Sequence, residues 1–233
     1  MAEGPTMNRG LGYFLAFLLF VMSSGASQAQ KASAPEKKTP PKQENSKAAP
    51  EGLDPQIAIQ MADDYFNAAK FMTADFVQVG VDGRRAEGKL YVSKPGKLRF
   101  EYAQPATMEI IADGVSVAIR DRKLQTQQIY FIGQTPLKFL LQEHLKLKRD
   151  VKITNVSSNT NSTIITLEDT ATFGGTSKIK LAFDNKNFSL KQWEVTDPQG
   201  YQTLVTLHNI DLKSVPDNGL FRIPSNEIWP SQN

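Results

Sequence analysis

Hydrophobic and polar residues alternate with a period of two from about position 73 onward, which is the spacing of a β-strand with one buried and one exposed face. The alternation is clearest in residues 97–102, where Leu98, Phe100 and Tyr102 alternate with Arg99 and Glu101. Similar short segments recur roughly every 8–12 residues, and turn-forming sequences rich in Gly, Pro, Asn and Asp separate them. The pattern predicts about ten or eleven strands in an antiparallel sandwich or barrel.

Two segments depart from this alternation and predict helices. The first begins at Asp54-Pro55, an N-cap acid followed by proline at the first helical position. We expect it to bury a stripe of residues four apart, namely Leu53, Ile57, Met61, Tyr65 and Ala69. The second begins at Thr135-Pro136 and continues through an apolar run and a basic last turn, namely Leu137, Phe139, Leu140, Leu141, Leu145, Lys146, Lys148 and Arg149. The predicted fold class is therefore α+β.

The first 52 residues have the composition of segments that precede a folded domain. Arg9, an apolar run over residues 11–22 and small residues up to Ala29 predict a secretory signal peptide over residues 1–29, with cleavage after Ala26 as the alternative. A retained membrane anchor is less favoured, because the run is shorter than the ~20 apolar residues that span a bilayer. Residues 30–52 contain four prolines and five lysines, which predicts a disordered linker. One domain is expected over residues 53–233, exported and monomeric.

Charge argues against a nucleic-acid partner. The chain of 233 residues has a formal net charge of +3. Residues 1–29 contain one Arg and one Glu, and residues 30–52 contain five Lys and three Glu. The predicted domain, residues 53–233, therefore has 21 basic and 20 acidic residues. A domain so nearly neutral lacks the basic surface that binds nucleic acid.

The chemistry-bearing residues do not indicate an enzyme. There is no cysteine, which excludes disulfides, thiolate nucleophiles, Cys-based metal sites and acylation of this chain on cysteine. His144 and His208 are the only histidines, and neither has a nucleophile motif or a metal-ligand partner nearby in sequence. We therefore expect no catalysis, no metal and no cofactor.

Many apolar residues could share one face of a curved sheet. They are Leu90, Val92, Leu98, Phe100, Tyr102, Ile110, Val117, Ile119, Ile129, Phe131, Ile179, Leu181, Phe183 and Trp193. The pattern alone does not separate a filled core from a hollow one, because barrels of this strand number can enclose a ligand.

Residues 88–102, GKLYVSKPGKLRFEY, contain two strand-like runs around a Lys94-Pro95-Gly96 turn. Four further segments occur in order around them: the upstream Phe76-Val77-Gln78, the following Pro105, residues 110–114 (IIADG) and the downstream TPLKFLL at 135–141. Together these segments resemble the periplasmic lipoprotein carrier family, LolA. The resemblance extends over roughly residues 53–230. It implies an unclosed antiparallel β-barrel covered by two helices that act as a lid over a hollow interior.

The resemblance also implies the site residues. The family has an arginine before the turn proline that holds the lid, and this chain has Lys94 instead, so either a weaker contact or another residue such as Arg99 is expected to act there. Leu98 and Phe100 match positions at the cavity entrance. The expected ligand-binding set is Lys94, Leu98, Phe100, Tyr102, Leu90, Ile110, Phe139 and Leu140.

The implied function is that of a periplasmic chaperone that carries acylated lipoproteins from the inner to the outer membrane. Its implied partners are an inner-membrane ABC-type release complex and an outer-membrane acceptor. Two alternatives stay open: a carrier of a free lipid or glycolipid on the same fold, and a lipid-sensing domain of an envelope-stress pathway.

Overall fold

The computed structural model describes residues 52–225, so the predicted signal peptide and nearly all of the predicted linker lie outside the described residues. The helical segments are α1 (Pro55–Ala68), α2 (Lys138–Leu141) and α3 (Leu147–Asp150), with 3-10 turns at Ile132–Gln134 and Asn218–Phe221. The first six strands are β1 (Phe71–Val79), β2 (Arg85–Ser93), β3 (Lys97–Tyr102), β4 (Met108–Asp113), β5 (Ser116–Asp121) and β6 (Thr126–Phe131). The other five are β7 (Lys152–Ser158), β8 (Ser162–Asp169), β9 (Ser177–Asp184), β10 (Ser189–Thr196) and β11 (Gln202–Asp211).

The strands form one antiparallel sheet of eleven strands in the order β6-β5-β4-β3-β2-β1-β11-β10-β9-β8-β7. Strands β6 and β7 are its two edges and do not pair with each other, so the barrel is unclosed. This confirms the predicted α+β class and the unclosed antiparallel architecture. Alternate residues of the strands face inward, as the pattern iBiBiBiBi of buried and half-buried residues along β1 illustrates.

The core lies between the concave face of this sheet and the helical segments. Leu90 and Leu98 are fully buried, and Phe76 contacts Phe100 edge to face at 5.0 Å between ring centres. Two of the residues expected on this face point elsewhere: Ile129 and Phe131 are 56% and 67% exposed. They pair with Ala118 and Ser116, whose side chains lie on the opposite face of the sheet from Val117 and Ile119.

Helix α1 begins as predicted, because the Asp54 carboxylate accepts hydrogen bonds from the backbone N–H groups of Gln56 and Ile57. The predicted stripe is wrong for Ile57, which is 53% exposed. The buried residues of the helix are Ala58, Ile59, Ala62, Asp63 and Phe66. A helix turns every 3.6 residues, so a strict spacing of four drifts around its surface, whereas alternating steps of three and four stay on one face.

The predicted second helix is broken into α2 and α3, with extended backbone at Gln142 and Lys146. The break lets the consecutive residues Phe139, Leu140 and Leu141 all be buried, which one straight helix lying on a sheet does not allow. Backbone groups left free by the break are bound by other elements, and these contacts come largely from α1.

Two polar residues on the inner side of α1 make those contacts. The Asn67 side chain donates to the Leu145 carbonyl at 2.9 Å and accepts from the Leu145 N–H at 2.8 Å. The buried Asp63 carboxylate accepts from the Leu147 N–H at 2.9 Å. Helix α1 and the segment 135–150 are therefore joined to each other as well as to the sheet, and we call the two together the lid.

None of the helices among residues 52–225 is both long and apolar enough to cross a bilayer. In the same range, no group of three or more His, Cys, Asp or Glu side chains is arranged to hold a metal ion.

Candidate functional site

The Lys94-Pro95-Gly96 turn joins β2 to β3 and contacts both parts of the lid. The Lys94 N–H donates to the Lys70 carbonyl just beyond α1 at 2.9 Å, and the Gly96 N–H donates to the Leu141 carbonyl at the end of α2 at 3.0 Å. Gly96 has φ +76°, and a Cβ there would lie 2.6 Å from the Gly114 backbone, so glycine is required. The turn predicted from sequence is thus the place where the sheet binds the lid.

The Lys94 side chain reaches into the lid itself. Its Nζ donates a hydrogen bond to the carbonyl oxygen of Phe66 and lies 5.8 Å from the centre of the Phe66 ring. Phe66 is in the last turn of α1, where carbonyl groups lack a partner inside the helix, so Lys94 supplies a C-terminal cap. Burial lowers the pKa of the Lys94 amine from its ordinary 10.5 to about 8.

Arg99, the alternative for this role, lies on the other face of the sheet. It donates to Glu109 at 3.0 Å and to the Leu220 carbonyl at 3.2 Å. Glu109 is also bound by Arg120 at 2.7 Å, so its buried carboxylate lies between two guanidinium groups. This network fastens residues 218–221 to the convex face and does not involve the lid.

Under the lid, the concave face is predominantly aromatic and aliphatic. Phe66 contacts Phe139 at 5.7 Å between ring centres, Phe139 contacts Trp193 at 6.1 Å, and Trp193 contacts Phe100 at 6.3 Å. This chain of aromatic rings runs from α1 through α2 to the sheet. Lid and sheet therefore share one apolar core that separates only if the lid moves.

A cavity of about 50 Å³, partly open to solvent, lies beside this cluster. Its lining residues are Gln78, Phe100, Ile110, Val117, Ile119, Thr135, Pro136, Leu137, Trp193, Val195, Thr203 and Val205. An engineered apolar cavity of about 150 Å³ holds one benzene molecule, so 50 Å³ is far too small for an acyl chain. In this conformation the interior is mostly filled by the protein's own side chains.

The end of β8 and the following loop 170–176 contact the lid and the segment just before it. The Phe173 N–H donates to the Gln134 carbonyl at 2.9 Å, and its ring lies 6.4 Å from that of Tyr130. Lys138 in α2 forms a 2.7 Å ion pair with Asp169, whose side chain is 2% exposed. These contacts join the edge strand β6 and the lid to the β8–β9 side of the sheet.

The chain's relation to known proteins follows from comparison of its sequence. Residues 67–224 match the sequence profile of the family described as "Outer membrane lipoprotein carrier protein LolA". This chain belongs to the LolA family. Relatives include proteins named outer-membrane lipoprotein carrier protein in two bacteria. The one from Chromobacterium violaceum is 27% identical over 148 residues, which cover 60% of this chain and 70% of that protein. The one from Methylobacillus flagellatus is 25% identical over 167 residues, which cover 68% and 80%.

Among solved structures, a LolA superfamily protein from Nitrosomonas europaea aligns with 73% of this chain and 98% of its own chain, at 10% identity and a TM-score of 0.42. The family match over residues 67–224 confirms, at the level of the family, the LolA resemblance predicted from residues 53–230.

Of the eight residues expected to bind ligand, Phe100 and Ile110 line the cavity. On the sheet, Leu90 and Leu98 are buried beneath the lid, and Leu98, expected at the entrance, has no exposed surface. Phe139 and Leu140 belong to the lid itself and are buried in the core that it shares with the sheet. Tyr102 is buried beside the cavity and donates to the Gln78 side chain at 2.8 Å. Lys94 binds the lid at the other end of the strands.

Sequence reasoning missed Thr135, Pro136 and Leu137 as cavity lining, because it placed them at the start of a continuous helix. It also missed Thr203, Val195 and Val205. Their strands were predicted correctly, and a signal was present: in β11, Thr203, Val205 and Leu207 alternate with half-buried residues and define an inward face.

Proposed function

We propose that this chain is a periplasmic carrier that binds the acyl chains of lipoproteins beneath its lid and carries them from the inner to the outer membrane. The observation that carries the proposal is the apolar concave face covered by a separate lid, in a LolA-family chain whose relatives are named lipoprotein carriers. Binding, rather than catalysis, is the activity that this arrangement serves.

The size of the cavity sets a condition on this function. Since 50 Å³ does not admit a hydrocarbon chain, the lid has to move for the ligand to enter. Strands β1–β5 and β8–β11 are joined by long ladders, whereas the lid contacts the sheet through side chains and a few hydrogen bonds. The lid is therefore the part of the molecule that opens at least cost.

Rough magnitudes show why such a carrier both binds and releases. Burying one CH₂ is worth about 0.8 kcal/mol, so a 16-carbon chain gains about 12 kcal/mol on leaving water. Exposing the main lid side chains costs about 1.5–3 kcal/mol each, or about 7–15 kcal/mol for the five residues Ile59, Phe66, Phe139, Leu140 and Leu141. The two quantities are comparable, so lid packing competes with the ligand and limits how tightly it is held.

Lys94 is the residue that we propose to control this competition. Its hydrogen bond to Phe66 stabilises the closed lid, so its loss favours the open form and slows ligand release. Because lysine makes this contact through a single ammonium group, the closed form has less support here than a planar guanidinium would provide.

The proposed partners follow from the route. The donor would be an inner-membrane ABC-type release complex, which supplies the energy to extract acyl chains from a bilayer, and the recipient an outer-membrane acceptor. The domain would work as a monomer without a cofactor, in the periplasm after removal of a signal peptide.

The test is direct binding of a lipopeptide to the chain purified from the periplasm of an expression host. The ligand is a synthetic peptide with an N-terminal diacylglyceryl cysteine, and the control is the same peptide without acyl groups. Native mass spectrometry should show a 1:1 complex with the acylated peptide only. Absence of that complex would overturn the proposal. Binding of phospholipid in preference to the lipopeptide would favour a free-lipid carrier instead.

A further inference from the structure

The cavity is apolar except at one end. Three of its twelve lining residues are polar, namely Gln78, Thr135 and Thr203, so polar groups there are exceptions that require an explanation. Gln78 and Thr203 both belong to strand ends remote from Lys94: Gln78 is near the end of β1, and Thr203 is near the start of β11.

The sheet register places Gln78 and Thr203 side by side. Gln78 pairs with Val205, and Thr203 lies two residues away on the same strand and hence on the same face. Gln78 continues the buried series of Met72, Ala74 and Phe76. A hydrophobic residue at either position would suit packing, because burying a polar group is unfavourable unless it is hydrogen-bonded.

Tyr102 and Thr135 have partners inside the protein. Tyr102 Oη donates to the side-chain amide oxygen Oε1 of Gln78 at 2.8 Å, and burial raises the pKa of Tyr102, so this hydroxyl stays protonated. The Thr135 hydroxyl donates to the Ile132 carbonyl at 2.8 Å.

Thr203 differs from them. It is 7% exposed, it lines the cavity, and no hydrogen-bond partner for its hydroxyl is found within residues 52–225. A threonine hydroxyl can donate one hydrogen bond, and this donor is available to whatever enters the cavity that Thr203 lines.

We infer that the Thr203 hydroxyl forms a polar subsite that hydrogen-bonds a carboxylic ester carbonyl at the head of the acyl chains. The inference rests on the proposed function and adds the orientation of the ligand. The ester end lies at Thr203, and the hydrocarbon extends toward Phe100 and Trp193, which line the same cavity. Ester carbonyls occur in diacylglyceryl lipopeptides and in free phospholipids, and both present the same acceptor.

The experiment compares ester-linked and ether-linked ligands of equal chain length. Probes are a diacylglyceryl-cysteine lipopeptide and its dialkyl ether analogue, which lacks the carbonyl oxygens, and a diacyl phospholipid with its ether counterpart. Wild-type protein should bind the ester form about fivefold more tightly than the ether form, the value of one hydrogen bond. The class of ligand that shows this preference identifies the source of the ester.

Two variants at Thr203 assign the effect. Thr203→Val keeps the shape and removes the hydroxyl, so it should lose about fivefold in affinity for the ester ligand and none for the ether ligand. Thr203→Ser retains the hydroxyl and should keep the ester preference. The inference is overturned if Thr203→Val weakens both ligands equally or neither.

The wild-type comparison stands even if a variant does not fold: equal wild-type affinity for ester and ether ligands also overturns the inference while the carrier proposal stands. If wild-type protein binds none of the four probes, both proposals fail.

Discussion

Lys94 makes the stability of this domain depend on pH between about 8 and 10.5. In the folded protein the pKa of its amine is about 8, against an ordinary 10.5 when the chain is unfolded and the group is in water. The folded state therefore binds fewer protons than the unfolded state between these values, and stability rises with pH. Below pH 8 the cost of burying the charge is fully present, and it disappears as pH rises through the window from 8 to 10.5.

The size of the effect follows from the two pKa values. A shift from 10.5 to about 8 corresponds to about 3 kcal/mol of unfavourable burial at pH 7. Raising the pH from 7 to 10 should recover about 2.5 kcal/mol of it. The assay is urea denaturation followed by circular dichroism at several pH values, with the free energy of unfolding extrapolated to water.

Lys94→Arg is the matched control, because a guanidinium stays charged throughout this range. All other titrating groups are common to both proteins, so the difference between their pH profiles isolates Lys94. Wild-type protein should gain about 2.5 kcal/mol relative to Lys94→Arg between pH 7 and pH 10. Parallel profiles would show that the Lys94 amine is not buried against the Phe66 carbonyl, and would remove the structural basis of its role in the lid.

Lys94→Leu tests that role in ligand handling. Above pH 8 the wild-type amine is largely neutral, so its burial no longer carries the cost of a charge and its hydrogen bond to Phe66 still supports the lid. At such a pH the variant, which cannot donate to Phe66, has a less stable closed lid, and we expect release of a bound lipopeptide to slow more than uptake changes. Stopped-flow measurement with a fluorescent lipopeptide separates the two rates. If both rates equal those of wild type, Lys94 has no part in the transfer cycle.

Two further predictions concern stability. Asp169→Asn breaks the buried pair with Lys138 and should lower the free energy of unfolding by about 3–5 kcal/mol. Glu168→Gln, in the more exposed pair with Lys152, should lower it by less than about 1 kcal/mol. Equal effects of the two variants in urea denaturation would contradict the burial of the Asp169 pair. Gly88→Ala would place a Cβ 2.0 Å from the Glu101 carbonyl oxygen and should cost about 1–3 kcal/mol, whereas a Cβ at Gly133 meets nothing within 4 Å. A Gly88→Ala protein with the same thermal midpoint as Gly133→Ala would refute the reasoning.

The candidate site could be predicted only in part. The Lys94 turn was located from sequence because Pro and Gly restrict the backbone locally, and Phe100 and Ile110 were placed inward by strand alternation. The contact of Lys94 with Phe66 joins residues 28 apart, and the position of Thr203 next to Gln78 depends on β1 pairing with β11. Local turn sequences predict which consecutive strands form hairpins, but no local pattern encodes that β1 and β11 become neighbours.

The two helices show the same division. Asp54-Pro55 determines where α1 begins, because the cap uses atoms only two or three residues away. The interruption after Leu141 is stabilised by Asn67 and Asp63, which supply hydrogen bonds to the 135–150 segment from a distant part of the chain. From sequence, these two polar residues on α1 have no visible purpose.

The sequence by itself therefore determined what depends on neighbouring residues: the strands, their turns, the start of α1 and the family. Tertiary structure decided what depends on distant ones: which face of α1 is buried, the break in the second helix, the exposure of Ile129 and Phe131, and a core that is nearly filled. The physical reason is that alternation and capping are properties of a few consecutive residues. Filling a cavity and pairing buried polar groups depend on side chains that only the folded sheet brings together.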